Sequence, residues 1–170
     1  TPIVHYIAPP FEQVVNMLAG LQSFFDVTQG QPSIMRAAVL IFAFVYIHPL
    51  ADCNGRVRRF LVNDLLYRDG ILSEPMILPI SSAISDSTQH RRDYDKILDT
   101  VSKPLMAQLI GEYQFETTQI FEDAIKSNLH LGNVDNALPI WRFLDLTPHV
   151  LYLAKLVSRV IQDYLYEESH

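Results

Sequence analysis

Cysteine is nearly absent: Cys53 is the single one among 170 residues. No internal disulfide can form, and a lone thiol suits a reducing compartment. Basic residues are also in the minority, 13 Lys and Arg against 19 Asp and Glu, for a formal net charge of -6. That balance argues against a nucleic-acid-binding surface, which needs a basic patch. Long apolar runs are missing as well. The nearest candidate, Ile34 to Ile47, is about a dozen residues, too short to span a bilayer and better read as a buried helix. No membrane partner is therefore expected. There is no internal repeat, no low-complexity tract and no signal-peptide pattern. The first residue is Thr1, so a shortened N-terminus is expected. What remains is an ordinary globular balance, 49% hydrophobic and 19% charged, at a length that suits one domain with one core. A single domain over residues 1–170 is the expectation.

The apolar pattern is mostly helical. Thr1 to Ala8 is rich in β-branched and aromatic residues and reads as a short strand or hairpin arm, stopped by Pro9 and Pro10. Phe11 to Asp26 has helical spacing at Val14, Val15, Leu18, Leu21, Phe24 and Phe25. Gly30 and Pro32 break it, and Ser33 is a candidate N-cap. The helix from Ser33 to Ile47 is apolar on nearly every side, as a central bundle helix is. His48-Pro49 ends it. A helix from about Gly55 to Arg68 follows, with Val57, Phe60, Leu61, Leu65 and Leu66 as its core face, closed by Asp69-Gly70. Further helices are expected at Ser81–Ser85, His90–Val101, Phe121–Asn128 and Pro148–Tyr166. Tyr113–Glu116 and Ile140–Phe143 are candidates for a small hairpin. Phe24, Phe42, Phe44 and Phe60 read as core, and Trp141 and Phe143 as packing under the hairpin or the last helix.

The informative stretch is His48-Pro49-Leu50-Ala51-Asp52-Cys53-Asn54-Gly55-Arg56-Val57-Arg58-Arg59. A histidine stands at the end of a buried helix. A short loop with an acid follows, and then a new helix whose first turn offers unpaired N–H groups to an anion. Arg56 and Arg59, three apart, share a helix face. Arg58 points elsewhere and serves the surface. Each residue has a plainer reading too. His48 suits a helix end packed on its proline. Asp52 suits a cap of the next helix as well as a metal site. Arginines are usually solvated charges. A cysteine hydrolase or a zinc site is disfavoured, because no orienting third residue and no standard ligand spacing is present. His5, His90, His130, His149 and His170 belong to no constellation.

The stretch resembles the signature loop of the Fic family, HPFxxGNGRxxR with an acid before the first glycine. His48, Pro49, Asp52, Asn54, Gly55, Arg56 and Arg59 match in order. Arg36-Ala37, Tyr6-Ile7-Ala8-Pro9-Pro10 and Leu144-Asp145-Leu146-Thr147-Pro148-His149 resemble, respectively, the helix leading into that loop, a flap hairpin over the site, and a segment near the domain's end. Two positions depart from the pattern. Leu50 replaces a phenylalanine that packs under the loop, and Cys53 replaces a glycine. If the backbone there needs positive φ, the side chain costs about 1–2 kcal/mol.

The resemblance implies an all-α, Fic-type helical bundle with a small β-hairpin flap. It implies a protein adenylyltransferase that moves AMP from ATP to a serine, threonine or tyrosine hydroxyl of a target protein. His48 would be the base and Asp52 the Mg²⁺ ligand. Cys53, Asn54, Gly55, Arg56 and Arg59 would hold the nucleotide phosphates, and Tyr6, Ile7 and Ala8 would pin the target peptide. Another nucleotide or a phosphocholine donor, or a binding module with decayed activity, is the alternative. The expected location is the cytoplasm, or a host cytoplasm into which an effector is delivered. Many family members are restrained by an inhibitory segment or an antitoxin partner bearing Ser/Thr-x-x-x-Glu-Gly/Asn. No glutamate of this chain, among them Glu12, Glu74, Glu112, Glu116 and Glu122, fits that pattern.

Overall fold

The computed structural model describes residues 3–73 and 77–168; Thr1, Pro2 and Glu74 lie outside them. Along the chain run α1 (Phe11–Val27), α2 (Ser33–Ile47), α3 (Asn54–Arg68), α4 (Ile80–Ser85) and α5 (Thr88–Gln108). Then come β1 (Tyr113–Ile120), β2 (Lys126–Leu131), α6 (Leu138–Arg142) and α7 (Thr147–Glu168). Seven helices and one antiparallel two-stranded hairpin, among the described residues, make this the mostly helical bundle that the apolar spacing implies. No described helix is long and apolar enough to cross a membrane.

The all-round apolar character of α2 sends it to the centre: ten of its fifteen residues are buried, and α1, α3 and α7 pack on it. Around Phe42, Tyr46, Val62, Leu66, Leu153 and Val157, helices α2, α3 and α7 close the main core. A second cluster of Ile7, Leu105, Leu109, Ala137 and Trp141 joins the N-terminal segment to α5 and α6. Arg36, at the start of α2, places Nη1 2.7 and 2.8 Å from the two carboxylate oxygens of Asp69, which caps the end of α3. The pair is largely shielded from water, so removing one partner strands the other; the expected cost is about 3 kcal/mol. It fixes α2 against α3 at the end opposite their connecting loop.

Several sequence expectations need correction. Residues 3–10 form no strand. They are pinned as an irregular segment, because Ile7 is buried and its carbonyl accepts a 3.1 Å hydrogen bond from Trp141 Nε1. The hairpin is local instead: Tyr113 pairs with Leu131 and Ile120 with Lys126, with an irregularity between Phe115 and Gln119. Phe121–Asn128, read as helix, is its turn and the start of β2, turned by Ala124 in the left-handed region. Ile140–Phe143, read as a strand, falls largely in α6. Ser33 is the first residue of α2 and not its cap; that position is Pro32, with no side-chain bond. α5 is longer than His90–Val101: Ser87 Oγ accepts from His90 N–H at its start, and it carries Pro104 to reach Gln108.

The core face of α3 keeps Leu61, Leu65 and Leu66 as expected, gains Val62 and loses Phe60. Val62 and Leu66 are fully buried, whereas Phe60 is 69% exposed. Phe143 is exposed as well, while Trp141 is buried. Arg58 is not a surface charge: it is half-buried, with Nη1 3.4 Å from the Tyr94 hydroxyl.

Candidate active site

The last turn of α2 delivers His48. Its N–H donates to Phe44 O at 3.1 Å, and its backbone is left-handed, with φ 48 and ψ 57, so the chain turns sharply out of the helix and leaves the side chain exposed. Five residues later Cys53 is left-handed too, with φ 68, and serves as the N-cap of α3. Its carbonyl accepts from Arg56 and Val57 N–H, both at 3.0 Å. Among the described residues no side chain caps α3, so the first-turn N–H groups of Asn54 and Gly55 are left for an outside acceptor.

Asn54 closes the loop between these two turns. Its Nδ2 donates to Leu50 O at 2.5 Å, and its Oδ1 accepts from Leu50 N–H at 3.0 Å. The side chain expected in an anion hole is therefore spent on the backbone. Asp52 does not cap α3: its Oδ1 accepts from Cys53 N–H at 2.6 Å, which leaves Oδ2 to solvent. Leu50 is 40% exposed and does not pack under the loop as a phenylalanine there was expected to. The glycine expectation for position 53 is met in its conformational form, since the φ of Cys53 is positive.

His48, Asp52, Cys53, Asn54, Gly55, Arg56 and Arg59 line one open concavity together with Ala51. A side-chain carbon built at Gly55 would meet only Arg59 Nη1, at 3.8 Å, so the floor there is open. Arg59 reaches Ser81 Oγ on α4 at 3.5 Å, a weak contact that leaves the guanidinium available to a stronger acceptor. Tyr6, Ile7 and Ala8 are not among the residues lining this concavity.

No group of three or more His, Cys, Asp or Glu side chains that could hold a metal exists among the described residues. A single exposed carboxylate beside a helix start nevertheless suits Mg²⁺, which keeps most of its waters and takes one or two carboxylates plus substrate phosphates. The donor set fits a metal that arrives with its phosphates.

Sequence reasoning missed a buried polar pair near the end of α2. His149 on α7 is completely buried, and its Nε2 lies 2.7 Å from the Tyr46 hydroxyl. Burial pushes the ring down to about 4, with Asp145 opposing, so it is neutral. Tyr6 O–H donates to Tyr46 O at 2.5 Å. Tyr46 and His149 are 103 positions apart, and no local spacing signals such a pair.

A helix-end histidine, a turn to a helix start and two arginines thus meet in one concavity. Residues 2–66 match the sequence model of the Fic/DOC family. Protein adenylyltransferase fic-1 of Caenorhabditis briggsae is 35% identical over 78 residues, a stretch covering 45% of this chain and 15% of that relative. The chain thus spans a small part of the curated relative it matches. No solved structure matches it. The matched family segment ends within α3, so β1, β2 and the 144–149 segment lie beyond it.

Proposed function

We propose that this chain is a Fic-type nucleotidyltransferase that moves AMP from ATP onto a serine, threonine or tyrosine hydroxyl of a target protein. The observation that carries the reading is the gathering of His48, Asp52, Gly55, Arg56 and Arg59 around one concavity at the α2–α3 turn. The likeness to a protein adenylyltransferase over 78 residues supports the choice of donor.

In this reading His48 accepts the proton of the attacking hydroxyl as its oxygen bonds to the α-phosphorus. The bond from the α-phosphorus to the bridging oxygen breaks, and pyrophosphate leaves. The N–H groups at the start of α3 receive the charge that builds on the α-phosphate oxygens. Arg56 and Arg59 clamp the outer phosphates, as planar guanidinium groups do well. Asp52 would hold Mg²⁺, which when bound neutralises phosphate charge. Asn54 serves by fixing the loop. Cys53 contributes the left-handed turn from which α3 starts. The site's open side leaves room for a target segment.

The test is incubation with labelled ATP and Mg²⁺, with the protein itself and a lysate as acceptors, for the wild type and His48→Ala. Label on protein in the wild type and none in His48→Ala is expected. Equal labelling of both would reject His48 as the base. Labelling from a different donor, such as another nucleoside triphosphate or a phosphocholine-bearing dinucleotide, would keep the site and replace the donor. Nucleotide binding without transfer from any donor would favour a binding module.

A further inference from the structure

Non-glycine residues in the left-handed region are costly and persist only where their surroundings hold them. Cys53 is held by the start of α3 and by the Asn54 clamp on Leu50. Among the described residues, His48 has only its N–H bond to Phe44 within its own helix. What fixes it further lies two residues back, at Tyr46. The Tyr46 carbonyl, one of the four at the end of α2 that lack an intrahelical partner, takes the Tyr6 hydroxyl at 2.5 Å. The Tyr46 hydroxyl and His149 Nε2 share a hydrogen bond of 2.7 Å in a buried setting. The rings agree with the bonds: Tyr6 lies 5.8 Å from Tyr46, and His149 stands edge-on to Tyr46 at 5.6 Å and to Phe42 at 4.5 Å. Tyr6 is held in turn, because Trp141 Nε1 bonds the carbonyl of its neighbour Ile7.

We infer that Tyr6 and His149 are positioning residues for His48: by gripping Tyr46 at its carbonyl and at its hydroxyl, they fix the end of α2 and so the left-handed turn that presents the His48 imidazole. The inference rests on the reading of His48 as the base. It also gives the N-terminal segment a task different from gripping a target peptide. The Tyr6 hydroxyl is already used inside the protein, and the Ile7 side chain is buried. A residue that only filled space at either position would be replaceable by phenylalanine. A residue that positions through its polar atom would not.

The experiment uses the full chain with Tyr6→Phe, His149→Phe and His149→Gln, and Leu105→Val as a packing control in the second core cluster. Two quantities are read. One is the Cα chemical shift of His48, which reports its backbone angles and is assigned by comparison with His48→Ala. The other is kcat and KM for ATP in the labelling reaction. Tyr6→Phe and His149→Phe are expected to move the His48 shift and to lower kcat by roughly ten- to a hundredfold at unchanged KM. His149→Gln, which keeps a polar group facing the Tyr46 hydroxyl, is expected to recover most of the loss. Leu105→Val is expected to leave both quantities near wild type. A His48 shift and a kcat both unchanged in Tyr6→Phe would overturn the inference, and that variant removes one oxygen, so it remains decisive even if His149→Phe does not fold. If the wild type transfers no nucleotide, the proposed function fails, while the chemical shift still decides whether Tyr6 and His149 hold His48.

Discussion

Asn54 grips Leu50 by both of its backbone polar groups, donating to the carbonyl at 2.5 Å and accepting from the N–H at 3.0 Å. One side chain thereby substitutes for the backbone pairing that this six-residue connection cannot make for itself. Asn54→Ala should lower transfer by roughly tenfold or more through loss of loop geometry, while global stability falls by only about 1–2 kcal/mol. Labelling rate set beside a denaturant melt checks this. A fall in stability with full activity per folded molecule would mean that the clamp serves the fold alone.

Cys53 has φ 68, so a side chain there is strained by about 1–2 kcal/mol, and glycine relieves it at an unfolded-state entropy cost of about 0.5–1 kcal/mol. Cys53→Gly should therefore raise stability by a net ~0.5–1 kcal/mol and keep or raise activity. The thiol is exposed and lines the concavity, so alkylation should be slowed by bound nucleotide. A large activity loss in Cys53→Gly would show that the thiol has a task of its own.

Among the described residues, the Arg59 guanidinium hydrogen-bonds only Ser81 Oγ, at 3.5 Å. A partner so weak leaves it free for an outer phosphate. Arg59→Ala should weaken ATP binding about tenfold while changing AMP binding little. Calorimetric titration of both nucleotides separates the cases, and equal losses for ATP and AMP would refute a clamp on the outer phosphates.

His149 titrates near 6.5 when unfolded, and burial pushes it down to about 4 in the folded protein. Between those values the unfolded chain binds a proton that the folded chain does not. Stability is therefore lost as pH falls from about 6.5 towards 4, by an amount on the order of 2 kcal/mol. Thermal melts across this range should show a slope that His149→Gln reduces. An identical slope in that variant would place the acid sensitivity elsewhere.

The parts legible in the sequence were those written in local spacing. The unbroken apolar run of α2, the proline after His48 and the Asp69-Gly70 stop are short-range signals, and the helices they imply are present. The loop was legible because its chemistry is contiguous. The hairpin was misplaced because Phe121–Asn128 has helix-compatible composition, and only pairing with Tyr113–Ile120 decides otherwise. The N-terminal segment failed as a strand for a related reason: β-branched and aromatic residues also suit a chain pinned by tertiary contacts, here Trp141 on Ile7 and Tyr6 on Tyr46. Asn54 was given to the anion because its role toward Leu50 depends on how far the loop folds back.

The Arg36–Asp69 pair works as an anchor at the far end of a lever. It sets the register of α2 against α3 at the end remote from the loop, so the turn between them does not have to define how the two helices meet. A connection relieved of that duty is free to change its chemistry. That freedom accounts for how Leu50 and Cys53 can depart from the usual loop pattern inside an otherwise regular helix pair. It also marks the α2–α3 turn as a place where substitutions retune the site before they disturb the fold.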